Sequence, residues 1–232
     1  MQTDPHSRTS GEIVLTSYFT SKPDPQRVTG AGRTMFAETD SFDYIYPWYV
    51  SMRQAGLQGI VFHDSLSDSF ITAYTTPRIQ FRKVALGSYS VNDERFFVYR
   101  EFLKSATFTK VLMTDISDLF VKRDPFPLFK NPNMLYVGSD DPKWPTIRSS
   151  SWALTKSAKL ARESRGQITF DETFLDMPLM NAGVIGGHYG VTNIFLNAMC
   201  EVIKSIDTNS NHNMMAMHYV IHRLKLANSV GF

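Results

Sequence analysis

The feature that most constrains this chain is an alternation. Short β-branched or aromatic runs trade places with segments of helical periodicity along most of its length. Parallel strands need long crossover connections, usually helices, so the pattern specifies an α/β fold: a mixed, mostly parallel sheet flanked by helices. Glu12–Thr20 (EIVLTSYFT) predicts the first strand, and a polar loop, Ser21–Arg27, leaves its C-terminal end. Phe42–Ala55 predicts a helix stopped by Gly56, Gln58–His63 a second strand, and Ser67–Tyr74 a short helix opened by a serine cap. Ile79–Leu86 is expected as a strand, and Asn92–Lys104 as a helix turning Phe96, Tyr99, Phe102 and Leu103 to the core. Lys110–Thr114 (KVLMT) is continuously apolar, the usual form of a central parallel strand. Met134–Gly138 and Met180–Gly187 follow as strands, and Val191–Ser205 and His212–Leu224 as closing helices.

A chain of 232 residues suits one large α/β domain. Residues 12–232 are read as that domain, and residues 1–11 as a flexible polar segment. With 17 Phe and 10 Tyr there is ample material for a sizeable core. A net charge of +2 is too near balance for a dedicated nucleic-acid binder. No apolar run approaches the ~20 residues of a membrane-spanning helix, and the N-terminus has no apolar signal-peptide core. The expectation is a cytoplasmic protein or a soluble domain of a larger one. Cys200 is the only cysteine, which excludes an intramolecular disulfide, and its amphipathic surroundings make it a small core residue.

The segment Thr114-Asp115-Ile116-Ser117-Asp118-Leu119-Phe120 directly follows the buried strand. Two carboxylates three positions apart can converge on one point there, and ligands of open α/β sheets bind at that end of the strands. Exposed oxygen ligands suit a hard cation, Mn²⁺ or Mg²⁺, completed by waters and substrate phosphates. From spacing alone, either aspartate serves equally well as a helix cap. The segment Asn181-Ala182-Gly183-Val-Ile-Gly186-Gly187 offers close backbone approach at its glycines and a donor and acceptor at Asn181. On its own it also reads as a strand ending in a turn.

Together, KVLMTDISDLFVKRDPFPLF and the Asn181–Gly187 segment resemble the nucleotide-diphospho-sugar transferase domains of GT-A glycosyltransferases, including small unanchored ones of large algal viruses and bacteria. The resemblance implies a metal-dependent enzyme that moves a hexose or pentose from a UDP- or GDP-sugar to a glycan or other hydroxyl acceptor. It implies a donor half over about 12–130 and an acceptor half over about 131–232. Asp115 and Asp118 would hold metal and donor, and Asn181, Ala182, Gly183, Gly186 and Gly187 would line the sugar pocket. Thr16, Ser17 and Tyr18 would cradle the nucleoside, with the base stacked near Tyr18. Arg27 and Arg95 are candidates for phosphate contact or for surface salt bridges, and Asp64 faces the cleft or caps a turn. The acidic spacing is one residue wider than the commonest Asp-x-Asp form.

The loop Gly138–Trp144 is expected at the acceptor side, with Trp144 available to stack on a sugar. Inversion at the anomeric carbon needs a carboxylate base, for which Asp140, Asp141 and Asp171 are candidates; retention needs none. His212, His218 and His222 read as surface or core residues rather than metal ligands. The rival from another class is a catalytically silent GT-A-like module that binds a nucleotide or glycan. A phosphotransferase with Asp115 as nucleophile would want a second acid where Ser117 stands.

Overall fold

A computed structural model of the chain describes residues 10–25, 37–105, 108–206, 208 and 210–226. Six strands form among them: β1 (Ser10–Tyr18), β2 (Gly59–His63), β3 (Ile79–Lys83), β4 (Phe108–Thr114), β5 (Leu135–Ser139) and β6 (Met180–His188). They join in one sheet of order β3-β2-β1-β4-β6-β5. β1 runs parallel to β2 and β4, and β2 parallel to β3, whereas β6 is antiparallel to both of its neighbours. The mixed, mostly parallel sheet expected from the alternation is therefore the one observed.

Seven helices cover the sheet: α1 (Phe42–Gln54), α2 (Asp68–Tyr74), α3 (Val91–Ser105), α4 (Ser151–Glu163), α5 (Glu172–Leu175), α6 (Tyr189–Lys204) and α7 (Asn213–Leu224). Successive residues of a strand face opposite ways, and β1 shows what this does to the core. Ile13 and Leu15 join Phe96, Phe195 and Val220 on one face. Val14 and Tyr18 join Trp48 and Phe70 on the other. Both faces are apolar, and each such side chain removed from water contributes about 1.5–3 kcal/mol.

Local signals operate where they were read. Ser67 accepts a hydrogen bond from the Phe70 amide at 3.2 Å, opening α2. Gly56, at φ +66, takes the left-handed conformation that lets α1 end. Two features differ from expectation. β3 stops at Lys83; the Val84 amide still bonds the His63 carbonyl at 2.8 Å, and the chain then leaves the sheet. Helices α4 and α5 fill a stretch with no predicted element. α4 buries only Ala153, Ser157 and Leu160, and exposes Trp152 and Leu154, so its largest apolar residues do not mark its buried face.

The antiparallel direction of β6 matters most for function. It sets the start of β6 beside the end of β4, pairing Val184 with Thr114. Residues seventy positions apart in sequence thus meet at one edge of the sheet. No helix among the described residues is long and apolar enough to cross a membrane.

Candidate active site

The point where the chain leaves β4 is clamped from two sides. Thr16 Oγ1 donates to the Thr114 carbonyl at 2.9 Å, and Trp48 Nε1 donates to Thr114 Oγ1 at 2.9 Å. Asp115 follows, its amide bonded to the Gly183 carbonyl at 2.8 Å, so its backbone is still tied to β6. Its carboxylate forms an ion pair with Arg95 Nη1, and the other guanidinium nitrogen donates to the Ala182 carbonyl at 2.9 Å. The Arg95 side chain is 7% exposed and that of Asp115 42%, so a buried cation holds an acid that still reaches solvent. Burial works against the Arg95 charge, but Asp115, Tyr99 and Asp93 together outweigh it and the guanidinium pKa is raised. Tyr99 lies one helical turn beyond Arg95, and burial pushes its phenol up to about 12. Ser17, half-buried at the end of β1, faces that phenol.

Asp115 and Asp118 line one cleft of about 270 Å³ together with Phe120, Ser139, Asn181 and Gly183. Asn181 Oδ1 accepts the Gly183 amide at 2.6 Å, which fixes its side chain at the start of β6. A Cβ built at Gly183 would lie 2.8 Å from Asn181 Oδ1 and closer still to Asp115 Oδ2, so any side chain there must displace these two polar groups. Among the described residues no three His, Cys, Asp or Glu side chains gather into a metal site. A pair of carboxylates on an open cleft nevertheless fits the habit of Mg²⁺ and Mn²⁺. Such ions take one or two protein carboxylates and fill the remaining positions with water and substrate phosphate.

Several residues named from sequence do not reach this cleft. Tyr18 is fully buried, stacked on Tyr44 at 4.7 Å between ring centroids, and its hydroxyl bonds Glu38 and Ser41. It offers no face to a base, because β1 turns that side chain under α1. Thr16 spends its hydroxyl on β4. Asp64 accepts the amides of Thr20 and Ser21, each at 3.0 Å. Burial works to raise its pKa, and hydrogen bonds from the Ser21 hydroxyl, these two amides and the Ser65 hydroxyl outweigh it and leave the pKa lowered. Its place is to pin the loop after β1. Gly186 and Gly187 lie inside the sheet: a Cβ at Gly186 would meet Phe129 Cζ at 2.6 Å and the Val111 carbonyl at 2.8 Å, and one at Gly187 the Met134 carbonyl at 3.0 Å. They serve close packing, and Ala182 contributes its carbonyl rather than its buried side chain.

Asp171 caps α5, accepting the Phe174 amide at 2.8 Å, and is not among the residues lining the cleft. Asp140 and Asp141 sit in the loop after β5, where their carboxylates accept the amides of Asp141 and Lys143 at 2.9 Å each. Arg27 lies outside the described residues. His218 is buried, its Nε2 accepting the Met180 amide at 2.9 Å and its Nδ1–H donating to the Met214 carbonyl at 2.8 Å. Burial pushes its pKa down to about 4. His212 pairs with Glu163 at 2.6 Å, and His222 lies 3.8 Å from Asp171. Cys200 is buried and its thiol is pushed up to about 12. Sequence reading placed Tyr99 only in the core; its position four residues after Arg95, on the same helical face, is the signal that finds it.

No protein-family model and no curated protein sequence matches the chain. Its fold does match solved structures. One is an active-site mutant of LgtC, with 14% identity and a TM-score of 0.50, covering 90% of this chain and 69% of that one. Another is the galactosyltransferase LgtC in complex with donor and acceptor sugar analogues, with 12% identity and a TM-score of 0.50, covering 90% and 70%. The chain has the GT-A glycosyltransferase fold. In this GT-A chain the two segments that carried the sequence resemblance, Asp115–Asp118 and Asn181–Gly183, are the two that share the cleft.

Proposed function

We propose that the chain is a metal-dependent glycosyltransferase that moves a sugar from a nucleoside-diphosphate donor to a hydroxyl of a glycan or other acceptor. One observation carries the reading: at the strand ends of a GT-A fold, Asp115, Asp118, Asn181 and Gly183 converge on one cleft, with Asp115 oriented by a buried arginine. Asp115 and Asp118 would hold Mn²⁺ or Mg²⁺, which supplies charge compensation for a diphosphate leaving group. Arg95 fixes the Asp115 carboxylate, leaving one of its oxygens for the ion. Asn181 offers hydroxyl recognition, and the bare Cα of Gly183 lets a sugar approach. The donor is a UDP- or GDP-sugar bound against the first half of the chain, about 12–130. The acceptor approaches from the second, about 131–232. There Asp140 and Asp141 follow Ser139 from the cleft edge and are the nearest acids in sequence for a base.

A second reading is favoured by the ion pair itself. Arg95 already occupies one oxygen of Asp115, as it would in a GT-A-like module that binds a nucleotide or glycan without turnover. Incubation with a panel of UDP- and GDP-sugars, with Mn²⁺ and with chelator, separates the two when released nucleoside diphosphate is measured. The transferase releases it from one donor class only with metal. Donors that bind with no release under any condition favour the module, and a chain that binds no nucleotide excludes the transferase and leaves only a glycan-binding module.

A further inference from the structure

A second cleft, of about 410 Å³, opens between α4 and the start of α7. Trp152, Lys156 and Lys159 form one wall; Asn211, His212 and Asn213 form the other. It lies on the same edge of the sheet as Asp115. The His212 amide reaches Asp93 Oδ2 at 3.5 Å in the first turn of α3, two residues before Arg95. Its charges are unevenly satisfied. Glu163 takes Lys159 at 3.7 Å and His212 at 2.6 Å. Lys156 makes no ion pair among the described residues; the Trp152 ring lies 5.9 Å from its ammonium, and Glu163 acts on it through its charge alone. Burial, and then the charge of Lys159, hold the Lys156 pKa below its usual value, a situation that an anion relieves.

The remaining groups suit a sugar ring. Trp152 is 45% exposed beside Lys156, a large aromatic face at the rim of a polar cleft. Asn213 is only 6% exposed and lines the cleft, where its side-chain amide offers a donor and an acceptor to a ligand hydroxyl. His212, the N-cap of α7, gives that helix no side-chain cap of its own, and Asn211 Oδ1 accepts the Asn213 amide at 3.1 Å.

We propose that this cleft is an acceptor subsite for an anionic sugar, one bearing a phosphate or a carboxylate, with Trp152 against the ring, Lys156 on the charge and Asn213 on a hydroxyl. The term acceptor rests on the transferase reading above; the binding chemistry does not.

The test is a calorimetric and ligand-observed NMR titration of the whole chain, without donor or metal, using glucose 6-phosphate, glucuronic acid, glucose and inorganic phosphate. The two anionic sugars are expected to bind at least about tenfold more tightly than glucose, the ratio of one charge-assisted hydrogen bond. Both are expected to bind more tightly than inorganic phosphate. Phosphate and carboxylate sources are told apart by which of the two sugars binds better. Lys156→Gln is expected to remove the preference for anionic sugars, and Trp152→Ala, an exposed position, to weaken every sugar several-fold. Asp115→Asn is expected to change none of these affinities. Glucose binding as tightly as its phosphate, inorganic phosphate binding as tightly as the sugar phosphate, or an unaltered Lys156→Gln variant overturns the subsite. Binding that follows Lys156 while no donor is ever turned over leaves the subsite standing and removes the transferase reading. Transfer to neutral acceptors without anionic-sugar binding does the reverse.

Discussion

Replacing Gly183 by alanine perturbs the cleft by one methyl group, and the structure gives its size. A Cβ at that position falls 3.0 Å from Asp115 Cγ, 2.8 Å from Asn181 Oδ1, and nearer still to Asp115 Oδ2, where ordinary contact begins at 3.4 Å. The carboxylate must therefore withdraw by about 0.5–1 Å, against a guanidinium that is itself buried and fixed to Ala182. The atoms that give way are side-chain ends, so the cost to folding should sit at the low end of overpacking, about 1 kcal/mol. The cost to function should be larger, because a misplacement of about 1 Å in a positioned group can cost 100-fold in rate. Calorimetry of UDP with Mn²⁺, sugar transfer and thermal unfolding measure the three effects. The expected variant melts within a few degrees of wild type, binds UDP with metal weakly and transfers about 100-fold more slowly. Gly186→Ala is the control: its Cβ meets a backbone carbonyl and a buried ring, so it should destabilise by about 2–3 kcal/mol and spare metal-dependent binding in the folded fraction. Wild-type binding and transfer in Gly183→Ala would refute the role given to that position.

Two further outcomes follow from the same geometry. Arg95→Met should lower unfolding stability by about 2–4 kcal/mol in denaturant, less than a wholly buried pair because Asp115 reaches water; no change would mean the ion pair holds nothing. His218, whose folded pKa of about 4 lies below its unfolded value, contributes stability that is full above about 6.5 and lost as pH falls towards 4, at most about 3 kcal/mol. Asp93, raised to about 6 mainly by burial, acts in the opposite sense over part of that range, so the test is the difference between wild type and His218→Gln. The variant should show the shallower loss of stability on acidification, and an identical slope would contradict the buried neutral histidine.

The sheet was legible in the sequence because its strands advertise themselves. Val111–Met113 is apolar throughout, as a strand covered on both faces must be, and the expectation of a mixed, mostly parallel sheet rested on the alternation of such runs with helical segments. α4 was not legible, because its buried stripe is Ala153, Ser157 and Leu160 while a tryptophan faces solvent, so hydrophobic period and burial disagree. At the cleft, the acidic residues and Asn181 could be named from their chemistry. Which side chains turn inward could not, since that depends on register. Thr16 and Tyr18 fall on residues whose side chains are buried in the β1 packing, whereas Ser17 falls on the face of Arg95 and Tyr99. Gly186 and Gly187 illustrate the same limit. A glycine that admits a ligand and a glycine that admits a neighbouring phenylalanine look alike in sequence, and only the antiparallel pairing of β6 with β4 separates them.

The central claim is that Asp115 and Asp118 hold a metal that holds a nucleoside diphosphate. Titration of UDP in the presence of Mn²⁺, into wild type and into the Asp115→Asn/Asp118→Asn double variant, tests it most directly. Binding should appear with metal and vanish with chelator in the wild type. In the double variant, whose circular dichroism should be unchanged, it should weaken by about 100-fold or more, equivalent to about 2.8 kcal/mol. UDP binding of equal strength in the double variant, or binding indifferent to chelation, would contradict the claim.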